Sequence, residues 1–174
     1  MYRLRFIMVM LKSLLSKKID LAGDFVLKFW AIPLIDTDLT LLFTQTYGLY
    51  MGLARWNLLF NSEFRTAALK RGWVPVTTKE TMMYKKSIKA FDRVTLTTRI
   101  VHWNDRRFYI EHIFTVKNEI RAITYVEGLV RGPKGHLKPD EAFKFMGVTR
   151  ESAPLPEQMQ GWIDLVYEPH NREH

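Results

Sequence analysis

The 174-residue chain contains no cysteine, which removes disulfides, thiolate metal sites and cysteine nucleophiles from consideration. It carries no glycine-rich phosphate loop and no histidine–carboxylate cluster at metal-ligand spacing. Nucleotide-dependent and metal-dependent chemistry therefore lack their sequence supports, and neither a metal nor a cofactor is expected. A cysteine/histidine finger, a basic zipper and a ribonucleoprotein motif are also missing, which argues against a nucleic-acid reader. Long apolar runs are absent too. The one nearest the N-terminus, within Met1–Leu15, is interrupted by Lys12 and falls short of the roughly 20 residues that span a bilayer. No small-residue cleavage site follows it, against a signal peptide.

What is present points to a folded domain. Apolar residues make up 47% of the chain and aromatics 13%, enough to build one core at this length. The 26 basic residues outnumber the 18 acidic ones, for a net charge of +8. Such a surface suits an anionic membrane, a phosphate-bearing ligand or simple solvation. Residues 1–20 read as a basic amphipathic helix, either packed on the domain or lying on a membrane surface.

Asp24–Ile35 is rich in β-branched and aromatic residues and reads as a first strand, with Pro33 marking an edge or a bend. A polar turn leads into Tyr47–Phe60, where Leu49, Leu53, Trp56 and Phe60 recur at helical spacing and predict a mostly buried helix. Gly48 and Gly52 lie one turn apart, which permits close approach of a sheet or merely weakens the helix. Asn61 or Ser62 caps a shorter helix over Glu63–Arg71, ended by Gly72. Alternating segments follow over Val74–Tyr84, Asp92–Trp103, Arg107–Val116 and Ile120–Arg131, joined by loops of hairpin length. Arg131–His136 is a basic turn that ends the sheet, Pro139–Gly147 a short helix, and Pro156–Ile163 a proline-bounded segment. Strand, long helix and a four-stranded meander make an α+β layout in which a curved antiparallel sheet wraps the helix.

The strand-to-helix junction matters most, because free N–H groups and the positive dipole end collect where a helix starts. Asp36 and Asp38 would share one side of a continuing strand with Thr40. Asp38 is either a base re-aimed by the turn or a turn-capping carboxylate. Thr40, Thr44 and Thr46 are hydrogen-bond donors to a bound carbonyl or helix caps. His102 and His112 lie in strands, as inward bases or as hydrogen-bonded or solvent-facing histidines. Lys85, Lys86, Lys89, Arg106, Arg107, Arg131 and Lys134 sit in loops or at strand ends.

This layout is that of the hotdog fold. Asp38-Leu39-Thr40, Thr44, Thr46-Tyr47 and Tyr50 resemble the hotdog thioesterase segment Asp-Leu-Asp-x-x-x-His-x-Asn-Asn-x-x-Tyr. Arg71-Gly72-Trp73, Tyr84–Ile88, Phe91-Asp92, Trp103–Tyr109 and the tail segment Leu155–Ile163 are also similar to this family. The likeness is strongest to the branch containing thioesterase superfamily member six and related bacterial proteins. The resemblance implies a hotdog domain over 21–133 with a C-terminal extension of short helices over 134–174. It also implies an acyl-CoA thioesterase-like protein, hydrolysing or binding acyl thioesters, built from homodimers or higher oligomers with acyl pockets at the subunit interface. A cytoplasmic setting, with or without attachment to the inner face of a membrane, goes with that reading.

In active relatives a carboxylate before the helix is nucleophile or base, and a helix-start N–H polarises the thioester carbonyl. Matched residue by residue, the first aspartate falls on Asp38, the usual catalytic aspartate on Thr40, the histidine on Thr44, and the two asparagines on Thr46 and Tyr47. Asp38, Thr40 and Thr44 are thus the catalytic candidates, Thr46, Tyr47 and Gly48 the carbonyl-binding ones. Lys85, Lys86 and Arg131 are candidates for CoA phosphates. With Thr40 in place of the base, a binding or scaffold protein that keeps the acyl pocket is the alternative to an enzyme.

Overall fold

The computed structural model describes residues 23–163, so the helix expected over 1–20 lies outside it, as do residues 164–174. The first strand, β1 (Phe25–Trp30), is shorter than the sequence pattern suggests. Beyond Trp30 the chain leaves the ladder: the Ala31 N–H bonds Asp92 O, and a turn forms at Pro33–Leu34 with Leu34 at φ 61°.

Helix α1 (Thr44–Phe60) follows, about 26 Å long at 1.5 Å per residue. Its buried stripe runs through Tyr47, Tyr50, Met51, Ala54 and Leu58. Of the residues expected on that stripe, Leu53 is buried, whereas Leu49 and Trp56 are 42% and 39% exposed. Apolar residues surround this helix, so periodicity alone could not decide which side the sheet takes. Gly48 likewise meets no sheet: a Cβ built there finds no atom within 4 Å. Helix α2 (Phe64–Arg71) starts where Ser62 Oγ accepts the Phe64 N–H and stops at Gly72, whose left-handed φ of 64° suits glycine.

Strands β2 (Val74–Tyr84), β3 (Arg93–Trp103), β4 (Phe108–Val116) and β5 (Glu119–Gly132) then form the meander. The basic turn after Arg131 does not end the sheet. Gly135 takes φ 112° and a short β6 (Gly135–Leu137) returns along β5. Among the described residues the sheet has six strands in the order β1-β3-β4-β5-β2, with β6 on β5, and each of these pairings is antiparallel. This is the α+β hotdog architecture, one long helix held in a curved antiparallel sheet.

Alternation decides what each face does. Val94, Leu96 and Ile100 of β3, with Ile110 and Phe114 of β4 and Ala122 and Val126 of β5, are buried against α1. Gly128 has no side chain because the Phe108 ring lies over it; a Cβ there would come within 2.8 Å of Phe108 Cε2. Helix α3 (Pro139–Phe145) closes the main core with Ala142 and Phe143, and an extended stretch then leads to α4 (Glu157–Ile163) on the outer face. Met159 and Trp162 of α4 cover Tyr109 and Tyr125. Lys79 Nζ, from β2, holds the end of α4 by bonding Trp162 O at 2.5 Å.

Candidate functional site

The junction before α1 is built on Asp36. Its buried carboxylate accepts the Ile32 N–H at 3.0 Å and the Tyr50 hydroxyl at 3.2 Å. Its carbonyl accepts the Phe43 N–H and the Thr46 hydroxyl, both at 3.0 Å. Asp36 thus ties the entering turn to the first two turns of the helix.

Asp38 points elsewhere. It is solvent-exposed, and Oδ1 accepts the N–H groups of Thr40 and Leu41 at 2.6 and 2.7 Å and the Thr40 hydroxyl at 3.1 Å. These bonds, Leu41's foremost, hold its carboxyl below the usual aspartate range. Its geometry is that of a carboxylate organising a turn, and Thr40 belongs to the same turn.

Helix α1 starts without a side-chain cap. The capping position is Phe43, which offers no acceptor, and the first turn holds no acidic residue. Its N-terminal dipole therefore carries about half a positive charge with no acidic side chain in its own first turn. This end opens on a cavity of about 290 Å³ lined by Leu41, Leu42, Thr44, Tyr47, Tyr84 and the segment Lys85–Ile88. Thr44 lies at the mouth, hydrogen-bonded to the Tyr84 phenol. Tyr47 forms the inner wall, edge-on to Tyr84 at 5.2 Å and to Phe114 at 5.0 Å. Burial raises its phenol pKa, and the Ile88 N–H it accepts opposes that.

The expected groups are thus partly assembled. Thr44, Tyr47, Lys85 and Lys86 line one cavity. Gly48 follows one residue along with open space at its Cα, while the buried Thr46 hydroxyl is spent on Asp36. Lys86 is paired with Glu119 at 2.5 Å. Arg131 does not join them: it pairs with Val74 whereas Ala122 pairs with Tyr84, placing it about 30 Å along β5.

Neither strand histidine faces this cavity. His102 bonds Ala153 O at 2.7 Å and Ser152 Oγ at 2.9 Å in the tail. His112 is fully buried on the inner face, with Nδ1 2.8 Å from Thr98 Oγ1 and no partner for Nε2.

The thioesterase-like superfamily model matches residues 35–163. The chain belongs to the thioesterase-like superfamily. No curated protein matches it in sequence. Among solved structures it is similar to the hypothetical protein SAV2348 from Staphylococcus aureus, determined in complex with CoA, at 11% identity and a TM-score of 0.66 over 88% of this chain and 100% of that one. The probable thioesterase YbaW from Escherichia coli matches at 16% identity and a TM-score of 0.61 over 71% and 97%. The 1,4-dihydroxy-2-naphthoyl-CoA thioesterase Slr0204 from Synechocystis matches at 16% and 0.54 over 81% and 96%. At these identities the likeness is one of fold.

Within that superfamily frame, two residues escaped the sequence reading. Tyr84 lines the cavity beside Thr44. Arg121 shapes its wall, its carbonyl accepting the N–H groups of Lys85 and Lys86 at 2.8 and 3.0 Å and its guanidinium reaching Ser87 O at 3.4 Å. Only the β2–β5 register, which sets Tyr84 against Ala122, brings them there.

Proposed function

We propose that this superfamily member binds acyl-CoA thioesters at the N-terminal end of α1 and acts as an acyl-CoA-binding protein rather than an efficient hydrolase. One observation carries the reading: the uncapped helix start faces the Lys85–Lys86 cavity, while the motif's carboxylate, Asp38, is engaged in its own turn. The helix-end N–H groups suit a thioester carbonyl, and the lysines suit CoA phosphates. Hydrolysis needs more. Water must lose a proton as it attacks the carbonyl carbon and the C–S bond breaks, and a carboxylate of lowered pKa is a weak base for that.

The same reading includes a homodimer. Among the described residues, β2 pairs with β5 on one edge only. β2 itself carries exposed Val74, Met83 and Tyr84, and α1 carries exposed Leu49 and Trp56. Antiparallel pairing of two β2 edges would carry the Val74 end of one copy alongside the Tyr84 end of the other. Arg131 of one copy then approaches Lys85 and Lys86 of the second, which would complete a phosphate-binding group that one chain leaves open.

The test pairs calorimetric titration of acyl-CoAs with a thiol-release assay on the intact protein, Asp38→Asn, Asp38→Ala and Lys85→Ala. Asparagine keeps the turn's acceptor and removes the charge, so it separates turn from base. The expected result is binding without appreciable thiol release, weakened several-fold in Lys85→Ala and kept in Asp38→Asn. Brisk hydrolysis lost in Asp38→Asn would establish the enzyme instead. Failure of both CoA and acyl-CoA to bind would end the ligand reading altogether.

A further inference from the structure

The end of the molecule around the α1 start exposes apolar side chains that the acyl-CoA reading does not use. Leu34 is 76% exposed, Leu39 79%, Phe91 73% and Trp30 57%. They stand on separate turns, yet the backbone gathers them. The Phe91 N–H bonds Ala31 O at 2.8 Å, the Ala90 N–H bonds Thr40 O at 2.8 Å, and Leu41 bridges Lys89. Trp30 pairs with Arg93, whose guanidinium lies 6.0 Å from its ring.

Two of these tips are held in left-handed backbone, Leu34 at φ 61° and Phe91 at φ 66°. Bulky residues rarely adopt that region. The clamping bonds maintain it while the side chains stay in water, so their exposure is a fixed feature of these turns.

Charge identifies the complement. Lys28, Lys85, Lys89 and Arg93 are exposed around the tips. The acidic residues there are turned to internal use: Asp38 holds its turn, Asp92 accepts the Lys89 N–H at 2.8 Å, and Glu119 is paired with Lys86 and Arg121. The net of this face is basic. A second copy meeting it across a two-fold axis would set like charges together, whereas an anionic bilayer attracts the cations and solvates the projecting rings and leucines.

We infer that this end docks on an anionic lipid surface, with Leu34, Leu39, Phe91 and Trp30 entering the interface and the flanking cations at headgroup level. Leu41 and the Lys85–Ile88 segment wall the α1 cavity and adjoin the clamped turns, so docking brings the cavity mouth to the membrane. The inference is independent of acyl-CoA binding.

The test is sedimentation of the full chain with phosphatidylcholine vesicles and with phosphatidylcholine–phosphatidylserine vesicles, for the natural protein, Leu34→Asn/Leu39→Ser/Phe91→Asn, and Lys89→Glu/Arg93→Glu. Asparagine accepts left-handed φ better than leucine or phenylalanine does, so the triple variant keeps the native melting temperature. The natural protein binds the anionic vesicles and not the neutral ones. The triple variant loses on the order of a hundredfold in partitioning, and the charge variant loses its dependence on phosphatidylserine. Lipid binding unchanged in the triple variant would overturn the inference. So would a natural protein that ignores vesicles while the triple variant alters the oligomer mass in sedimentation equilibrium, because the tips would then bind another copy.

Discussion

Acid should unfold this protein earlier than its surface chemistry requires, and His112 is the reason. The imidazole lies fully buried under α1, with Thr98 Oγ1 on Nδ1, no partner for Nε2, and the cation Arg55 acting on it from the helix. Burial first, and Arg55 second, depress its folded pKa well below the ordinary 6.5. Well above pH 6.5 the ring is neutral in both folded and unfolded chains, and its titration costs nothing. Below that, the unfolded chain takes up a proton that the native state refuses. Stability then falls by about 1.4 kcal/mol per pH unit until the folded pKa is reached. Even one such pH unit is a sizeable part of the roughly 5–15 kcal/mol that keeps a domain folded. Urea unfolding between pH 8 and 5 measures this, with His112→Gln as the reference that retains a polar partner for Thr98. Carboxylate titration is common to both proteins and cancels in the difference. The difference curve should be flat above pH 7 and slope downward below 6.5. Parallel curves throughout would show that His112 accepts its proton in the folded state and would refute the argument.

Gly48→Ala adds a methyl into open space on a helix, so it should stabilise the monomeric fold by about 0.5–1 kcal/mol in thermal unfolding. If a thioester or a second copy occupies that space, ligand titration or sedimentation will register a loss despite the higher melting temperature. Gly128→Ala should cost about 1–3 kcal/mol by displacing the Phe108 ring. Phe108→Leu in the same chain should recover part of that, as a double-mutant cycle would show. Tyr50→Phe withdraws a hydroxyl from the buried Asp36 carboxylate and should cost about 1–3 kcal/mol in urea unfolding.

Much of the fold was readable because its signals are local. Val74–Tyr84 has the bounds its alternation predicts, and Gly72 ends α2 as a left-handed cap should. The helix start moved from Tyr47 to Thr44 because the Phe43 N–H is anchored on Asp36 O rather than on a side-chain cap, and no cap residue marks that position. The exposed side of α1 was misread because Leu49, Trp56 and Phe60 fit a helical stripe as well as the true one does. At the site, the sequence locates the junction but not its wiring. Asp36 and Asp38 are two residues apart; one is buried as an anchor and the other exposed in a turn. That difference arises from the Pro33–Thr37 turn, which interrupts strand alternation. Tyr84 and Arg121 reach the cavity only through the pairing of β2 with β5, a long-range relation that no local pattern encodes.

The tail across the outer face has a consequence for how copies of this chain assemble. Without Met159 and Trp162, Tyr109 and Tyr125 would join Val101 and Ile123 in an apolar sheet surface ready to stack on another sheet. With α4 in place and its end held by Lys79, that surface is closed to a second sheet. In the proposed homodimer the two copies would then meet through an open strand edge, that of β2, rather than face to face. The segment that finishes the fold of one chain thereby also withdraws one face from contact with the next.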